Sequence, residues 1–192
     1  MIAESMEPRT NTKATVTLTA AENAGESQTV VFPDLCGDLS MRIDCNGTWY
    51  YRGSPIGRTA LVRLLSTVLR RDADGIYWLT TPVENGRIEV EDAPFIGVEL
   101  IAEGGGCNQI IRFRTNVDDI VTLDGEHILR IDHNSESGEP RPYVHVRNGL
   151  EARLARAVYY HLVDVGEAAA DGAFGVWSAG RFFPIGHADG CD

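Results

Sequence analysis

The stretch "MRIDCNGTWYYRGSPIGR", residues 41–58, decides the fold. Met41 and Ile43 alternate with Arg42 and Asp44, and after Asn46-Gly47 the aromatics Trp49 and Tyr51 alternate with Thr48, Tyr50 and Arg52. Alternation with period two is the mark of a half-buried strand, and Asn-Gly suits the positive φ of a type I′ turn. Residues 40–44 and 48–52 therefore read as an antiparallel hairpin. Gly53-Ser54-Pro55 breaks the second strand. Ser followed by Pro suits an N-cap and first helical position, so a helix starts there or at Arg58. Its apolar stripe is Leu61, Leu64, Leu65 and Val68, with Arg70 and Arg71 in the last turn and Asp74-Gly75 as the stop. "IYWLTT" (76–81) is a strand, and Asn85-Gly86 turns into the return strand "RIEVE" (87–91).

The far end repeats the order. "PYVHV" (142–146) is a strand, Asn148-Gly149 a turn, and "LEARL" (150–154) the return strand. A helix fits from Arg156 through "AVYYHLVDV", and Asp171-Gly172 follows it. "FGVWS" and "RFFPI" form a hairpin about Ala179-Gly180. With Arg58 set on Arg156, Leu64 falls on Leu162 and Trp78 lies one place from Trp177. A diverged duplication of a ββαββ unit accounts for this order, and so do two similar units of independent origin. Between the units lie four more strand candidates, "PFIGVELIAE", "NQIIRFRTN", "DIVTL" and "HILRID", with turns at Gly104-Gly105-Gly106 and "NVDD". "HNSESGEPRP" (133–142) reads as a linker. The expected fold class is α+β: mainly antiparallel sheet, with two ββαββ-like units joined by additional β-hairpins. The expected division is an N-terminal arm over 1–29, holding one short strand candidate at 12–20, and an α/β unit over 30–95. A β-rich middle with a C-terminal α/β unit follows over 96–186, then a tail over 187–192.

A net charge of −11 argues against a general nucleic-acid or anionic-membrane binder, which needs a basic face. It leaves room for a local basic pocket. Only Lys13 among the 17 basic residues is a lysine, and guanidinium grips oxyanions in pairs of hydrogen bonds as ammonium does not. Cys36, Cys45, Cys107 and Cys191 form no C-x-x-C pair, and no N-terminal apolar run marks a leader or a span. A cytoplasmic protein with reduced thiols is expected. His127, His133, His145, His161 and His187 lack metal-ligand spacing, so no metal and no cofactor is expected.

"CGDLSMRIDCNGTWYYRGSPIGRTALVRLLSTVLRRD", "TPVENGRIEVEDAPF", "FRTNVDD", "PYVHVRNGLEARL" and "GVWSAGRFFPIG" occur in this order over residues 34–186. Together they resemble a bacterial family known as domain of unknown function 1285. That resemblance implies a small two-part protein of repeated α/β motifs, in a family for which a regulatory or signalling role has been suggested. It implies no established activity.

The candidate site is read from the residues. Arg112 and Arg114 share one strand face, as do His145 and Arg147. A cleft between the units, lined by Arg114, Thr115, Asn116, Tyr143, His145 and Arg147, with Arg42 and Arg52 nearby, would hold a small anionic ligand. The alternative for these arginines is pairing with neighbouring acids on an exposed face. Two other functions stay open: an enzyme using His145 with Asp118 or Asp119, and an interaction module or homo-oligomer built on sheet edges. Trp49, Trp78 and Trp177 read as packing residues, and "GSPIG" and "GGG" as turns rather than phosphate loops. A Cys36–His145 or Cys45–His145 pair and a calcium loop at "DADG" (72–75) are weaker alternatives.

Overall fold

The computed structural model describes residues 37–81, 85–169 and 172–187. The expected arm over 1–29, its strand candidate and the body's start near Val30 lie outside them, as do Cys36, Asp171 and the end of the tail. The opening hairpin is present as β1 (Gly37–Ile43) and β2 (Trp49–Tyr51), in the register Met41↔Tyr51, Arg42↔Tyr50 and Ile43↔Trp49. Its turn is longer than a two-residue Asn-Gly reversal. Asp44 organises residues 44–48: its carboxylate accepts the amides of Asn46 and Thr48, and only Gly47 takes a positive φ, +76°. A side-chain acceptor beside the turn thus overrides the dipeptide's own preference.

Ser54-Pro55 does not begin a helix. It forms a short edge strand, β3 (Ser54–Pro55), against Tyr50 and Tyr51. Helix α1 (Thr59–Thr67) starts after Arg58, the second of the two expected positions. Leu65 is buried, while Leu61 and Val68 pack half-buried against the core. The helix stops at Thr67, short of the arginines. Leu69 is fully buried, which draws the chain into β4 (Leu69–Arg71) and places Arg70 and Arg71 on a strand. Two strands follow, β5 (Tyr77–Thr80) and β6 (Asn85–Val90). Asn85-Gly86 lies within β6, not in a turn. A Cβ on Gly86 would come within 2.4 Å of the Leu39 side chain, so this strand passes β1 at a distance only glycine permits. The first sheet has the order β3-β2-β1-β6-β5-β4, its two halves joined by the parallel pair β1–β6.

The middle of the chain builds a second six-stranded sheet. Its strands are β7 (Phe95–Glu103), β8 (Ile110–Thr115), β9 (Ile120–Thr122), β10 (Leu129–His133), β11 (Pro140–Arg147) and β12 (Leu150–Leu154). The order is β10-β11-β12-β7-β8-β9. A flat sheet of six strands would hold its edges about 24 Å apart. Here the edge strands β9 and β10 are consecutive in sequence, and their link carries a turn at Asp124–His127. Arg147 of β11 also pairs with Asp119, beside β9. The sheet is therefore curled towards a half-barrel. Its inner face buries Phe95, Ile111, Phe113, Leu123, Val144 and Leu150, each stabilising by about 1.5–3 kcal/mol on leaving water. The expected linker at 133–142 is the tip of the β10–β11 hairpin, held by Asn134, and joins no domains.

Asn148-Gly149 makes the tight reversal expected of it, with φ of +47° and +74°. Helix α2 (Arg156–Asp164) begins where it should and buries Val158 and Leu162. A small third sheet ends the chain: β13 (Glu167–Ala168), β14 (Ala173–Ser178) and β15 (Arg181–His187). Sheets that are largely antiparallel with two helices make the class α+β.

Candidate functional site

Of the residues predicted to line a cleft, Arg114, Thr115, Asn116 and Arg147 lie at the seam between the first two sheets, each engaged by protein groups. Asn116 is the central clamp. Its amide nitrogen donates to Gly47 O at 3.2 Å, and its side-chain oxygen accepts the Ile96 amide at 3.1 Å. Gly47 fits against it so closely that a Cβ there would lie 2.7 Å from both Asn116 Nδ2 and Ile96 Cγ1. Arg147 lies over the Phe95 ring at 5.1 Å, pairs with Asp119, and donates to Ser66 O at the end of α1 at 3.0 Å. Arg114 pairs with Glu99 and Asp118, and Asp118 also pairs with Arg63 of α1. Two carboxylates hold the Arg114 guanidinium in its charged form and raise its pKa further, Glu99 more than Asp118. Thr115 is fully buried, and its hydroxyl accepts the amides of Val117 and Asp119.

The other predicted site residues sit apart from that clamp. Arg42 faces outward over the Tyr50 ring and pairs with Glu91. Exposed Arg52 rests on Tyr51 at 5.1 Å in a left-handed turn. Tyr143 donates its hydroxyl to Asp92 at 2.7 Å. Burial, with Asp92 beside it, pushes its pKa up to about 12. His145 does not pair with Asp118 or Asp119. Its Nδ1 faces Glu126 O at 3.0 Å, and its Nε2 accepts the Gly149 amide at 3.2 Å, so both ring nitrogens are engaged by backbone of two different loops.

The remaining motifs resolve into packing and turns. Trp49 is core, Trp177 stacks edge-on against Phe182 at 5.5 Å, and Trp78 donates its indole N–H to Asp72 at 2.8 Å. Asp72 also accepts the Asp74 and Ile76 amides, which makes "DADG" a side-chain-capped turn. Cys45 and Cys107 are exposed.

Beside the seam, between β11, the end of β12 and α2, lies a groove of about 400 Å³. Arg141, Arg153 and Arg156 line it, with Tyr159 and Tyr160 from α2 and Pro140 and Pro142 from β11. Arg156 pairs with Glu139 at the rim. Arg153 reaches out of the groove into the seam, with Nε 3.3 Å from Asp92 and Nη2 donating to Cys45 O at 2.6 Å. Arg141 is exposed and has no carboxylate partner among the described residues. Its cross-strand neighbour Asp132 is already taken by Arg130. Sequence reasoning missed this trio because "GEPRP" read as a linker. The usable signal was "LEARLAR", which puts Arg153 at the end of a strand and Arg156 at the start of the following helix.

A second hollow, of about 260 Å³, contains Arg70, Arg71, Asp72 and Trp78. There Arg70 is turned onto the carbonyls of Thr67 and Leu69, and Arg71 lies over Tyr77. Arg70 thereby covers the outer edge of β4, which guards a free sheet edge.

Comparison with known proteins places the chain. Residues 31–93 match the N-terminal domain, and residues 94–185 the C-terminal domain, of a family described as of unknown function, DUF1285. The chain belongs to that family. It is similar to a crystal structure of a DUF1285 family protein from Silicibacter pomeroyi DSS-3, with 45% identity and a TM-score of 0.76. That match covers 80% of this chain and 83% of the other. A DUF1285 family protein from Shewanella baltica OS155 is 26% identical with a TM-score of 0.50, over 65% of this chain and 90% of its own. No curated protein matches. Among the described residues no helix is long and apolar enough to cross a membrane.

Proposed function

We propose that the protein is a regulatory module that binds a small anionic ligand, and that the groove of Arg141, Arg153 and Arg156 takes the anion. One observation carries the reading: Arg141 stands without a carboxylate in a concave surface, on a chain of net charge −11 whose seam arginines are all paired. An oxyanion there would meet the paired N–H groups that guanidinium presents. Proline and tyrosine walls would pack an apolar body behind the charge. Arg114, Asn116 and Arg147, with Thr115, then act as the frame that fixes the two sheets under the groove. The engagement of both His145 nitrogens by backbone favours binding over acid–base chemistry. A diverged duplication belongs to the same proposal. In its favour, each unit runs hairpin, nine-residue helix, three-strand meander.

The test is a thermal-shift series with inorganic phosphate, benzoate, phenyl phosphate and citrate on the full chain and on Arg141→Gln. A ligand at 100 times its Kd stabilises the native state by about 2.7 kcal/mol. The expected result is a rise in Tm with at least one probe, lost in Arg141→Gln. No rise with any probe, from a protein that melts cooperatively, overturns the proposal.

A further inference from the structure

We infer that Arg153 couples the groove to the seam, so that an anion in the groove and the contact between the two sheets compete for one side chain. This rests on the anion-binding reading above and adds its regulation. Arg153 is the groove residue with a hydrogen bond and an ion pair to the first unit among the described residues. Its Nη2 donates to Cys45 O in the 44–48 loop, 2.6 Å away, and its Nε lies 3.3 Å from Asp92, between the sheets. Guanidinium has five N–H donors in one plane, and here one donates to Cys45 O while the charge is shared with Asp92. An oxyanion gripped by paired donors draws on that same fork. Asp92 faces Arg153 with one carboxylate oxygen and accepts the Tyr143 hydroxyl with the other. Ligand charge therefore pulls Arg153 away from Asp92 and Cys45 O, and seam contacts pull it back. The 44–48 loop feels this directly, because Gly47 within it is clamped by Asn116. The ligand class that exploits the link is an aromatic oxyacid: the acid group on Arg141 and Arg153, the ring against Pro142 and Tyr159.

Coupling of this kind is reciprocal, so it is measurable from both ends. Phenyl phosphate is titrated calorimetrically into the full chain, Asp92→Asn and Arg141→Gln, and hydrogen exchange across residues 44–48 is followed with and without it. Asp92→Asn leaves an oxygen for the Tyr143 hydroxyl but removes the competing charge. It should bind roughly two- to fivefold more tightly, the size of a half-exposed ion pair. Arg141→Gln should bind more weakly than the parent. Saturating phenyl phosphate should speed exchange across 44–48 in the parent chain, a readout that needs no variant to fold. Binding that Arg141→Gln weakens, with unchanged affinity in Asp92→Asn and unchanged exchange at 44–48, overturns the coupling and leaves the groove standing. No binding to any of the three proteins overturns both.

Discussion

The chain uses Asn-Gly twice at the same point of two similar hairpins, and the two turns do different work. Asn148-Gly149 is a local device. Both residues take positive φ, a Cβ on Gly149 would meet nothing within 4 Å, and the turn joins strands of one sheet. Asn46-Gly47 is a tertiary device. Asp44 opens it into a longer loop, and Gly47 is pressed against Ile96 and Asn116 of the other sheet. The units diverge in the same sense. The first keeps its strands in one sheet, with β6 lying parallel to β1. In the second, the strand preceding the helix pairs in parallel with β7 from the middle of the chain, and its last three strands form a sheet of their own. A shared local pattern thus does not bring a shared partner.

The sharpest break of this comparison is a pair of identical substitutions. Gly47→Ala puts a Cβ into both a left-handed position and a 2.7 Å contact, and should destabilise by about 2–4 kcal/mol. Gly149→Ala meets only the backbone penalty and should lose about 1 kcal/mol. Urea unfolding of the two variants measures the gap. Equal losses would mean that the 44–48 loop is not clamped.

Next in size is Asn116→Ala, which strips both hydrogen bonds of the clamp. The expected loss is about 1–2 kcal/mol. In the double variant with Gly47→Ala it should be smaller than the sum, because the residues share one contact. Strict additivity would place them in separate networks.

The smallest effect separates the turns by pH. Burial raises the Asp44 carboxyl's pKa, but the Thr48 and Asn46 amides, the Tyr50 hydroxyl and Arg42 outweigh it and hold it below the usual value. A native pKa below the unfolded one means the native state binds fewer protons. The stabilisation is therefore complete above the unfolded value of about 3.9 and fades as pH falls through the native one. Asp44→Asn should lose part of the parent's stability at pH 7 and match it more closely near pH 3, read by urea midpoints. A constant difference across that range would remove the carboxylate's charge from the account of this turn.

Local order set much of the fold in advance. Alternation at Met41–Ile43 and Trp49–Tyr51, the Arg-led helices at Thr59 and Arg156, and the strands from Phe95 to Leu154 were legible because side-chain period and turn chemistry act within a few residues. Two of the misread points share a cause: burial of a leucine outweighed the local preference. Leu69 buried itself and took Arg70 and Arg71 out of the helix. Leu39 required the glycine of Asn85-Gly86 in a strand. The hairpin tip at 133–142 looked like a linker because a polar segment with Gly and Pro suits a hairpin tip and a linker equally.

For the proposed site, the sequence by itself determined that its cations would be arginines and that any basic pocket would be local, since a chain of net charge −11 with a single lysine leaves little else. Which arginines are free was decided by tertiary structure alone. Arg114 and Arg147 are spent on Glu99, Asp118 and Asp119, while Arg141 is left over because Arg130 already holds Asp132. Ion pairing depends on distances of a few ångströms between residues far apart in sequence. Those distances exist only once the sheets have curled and met.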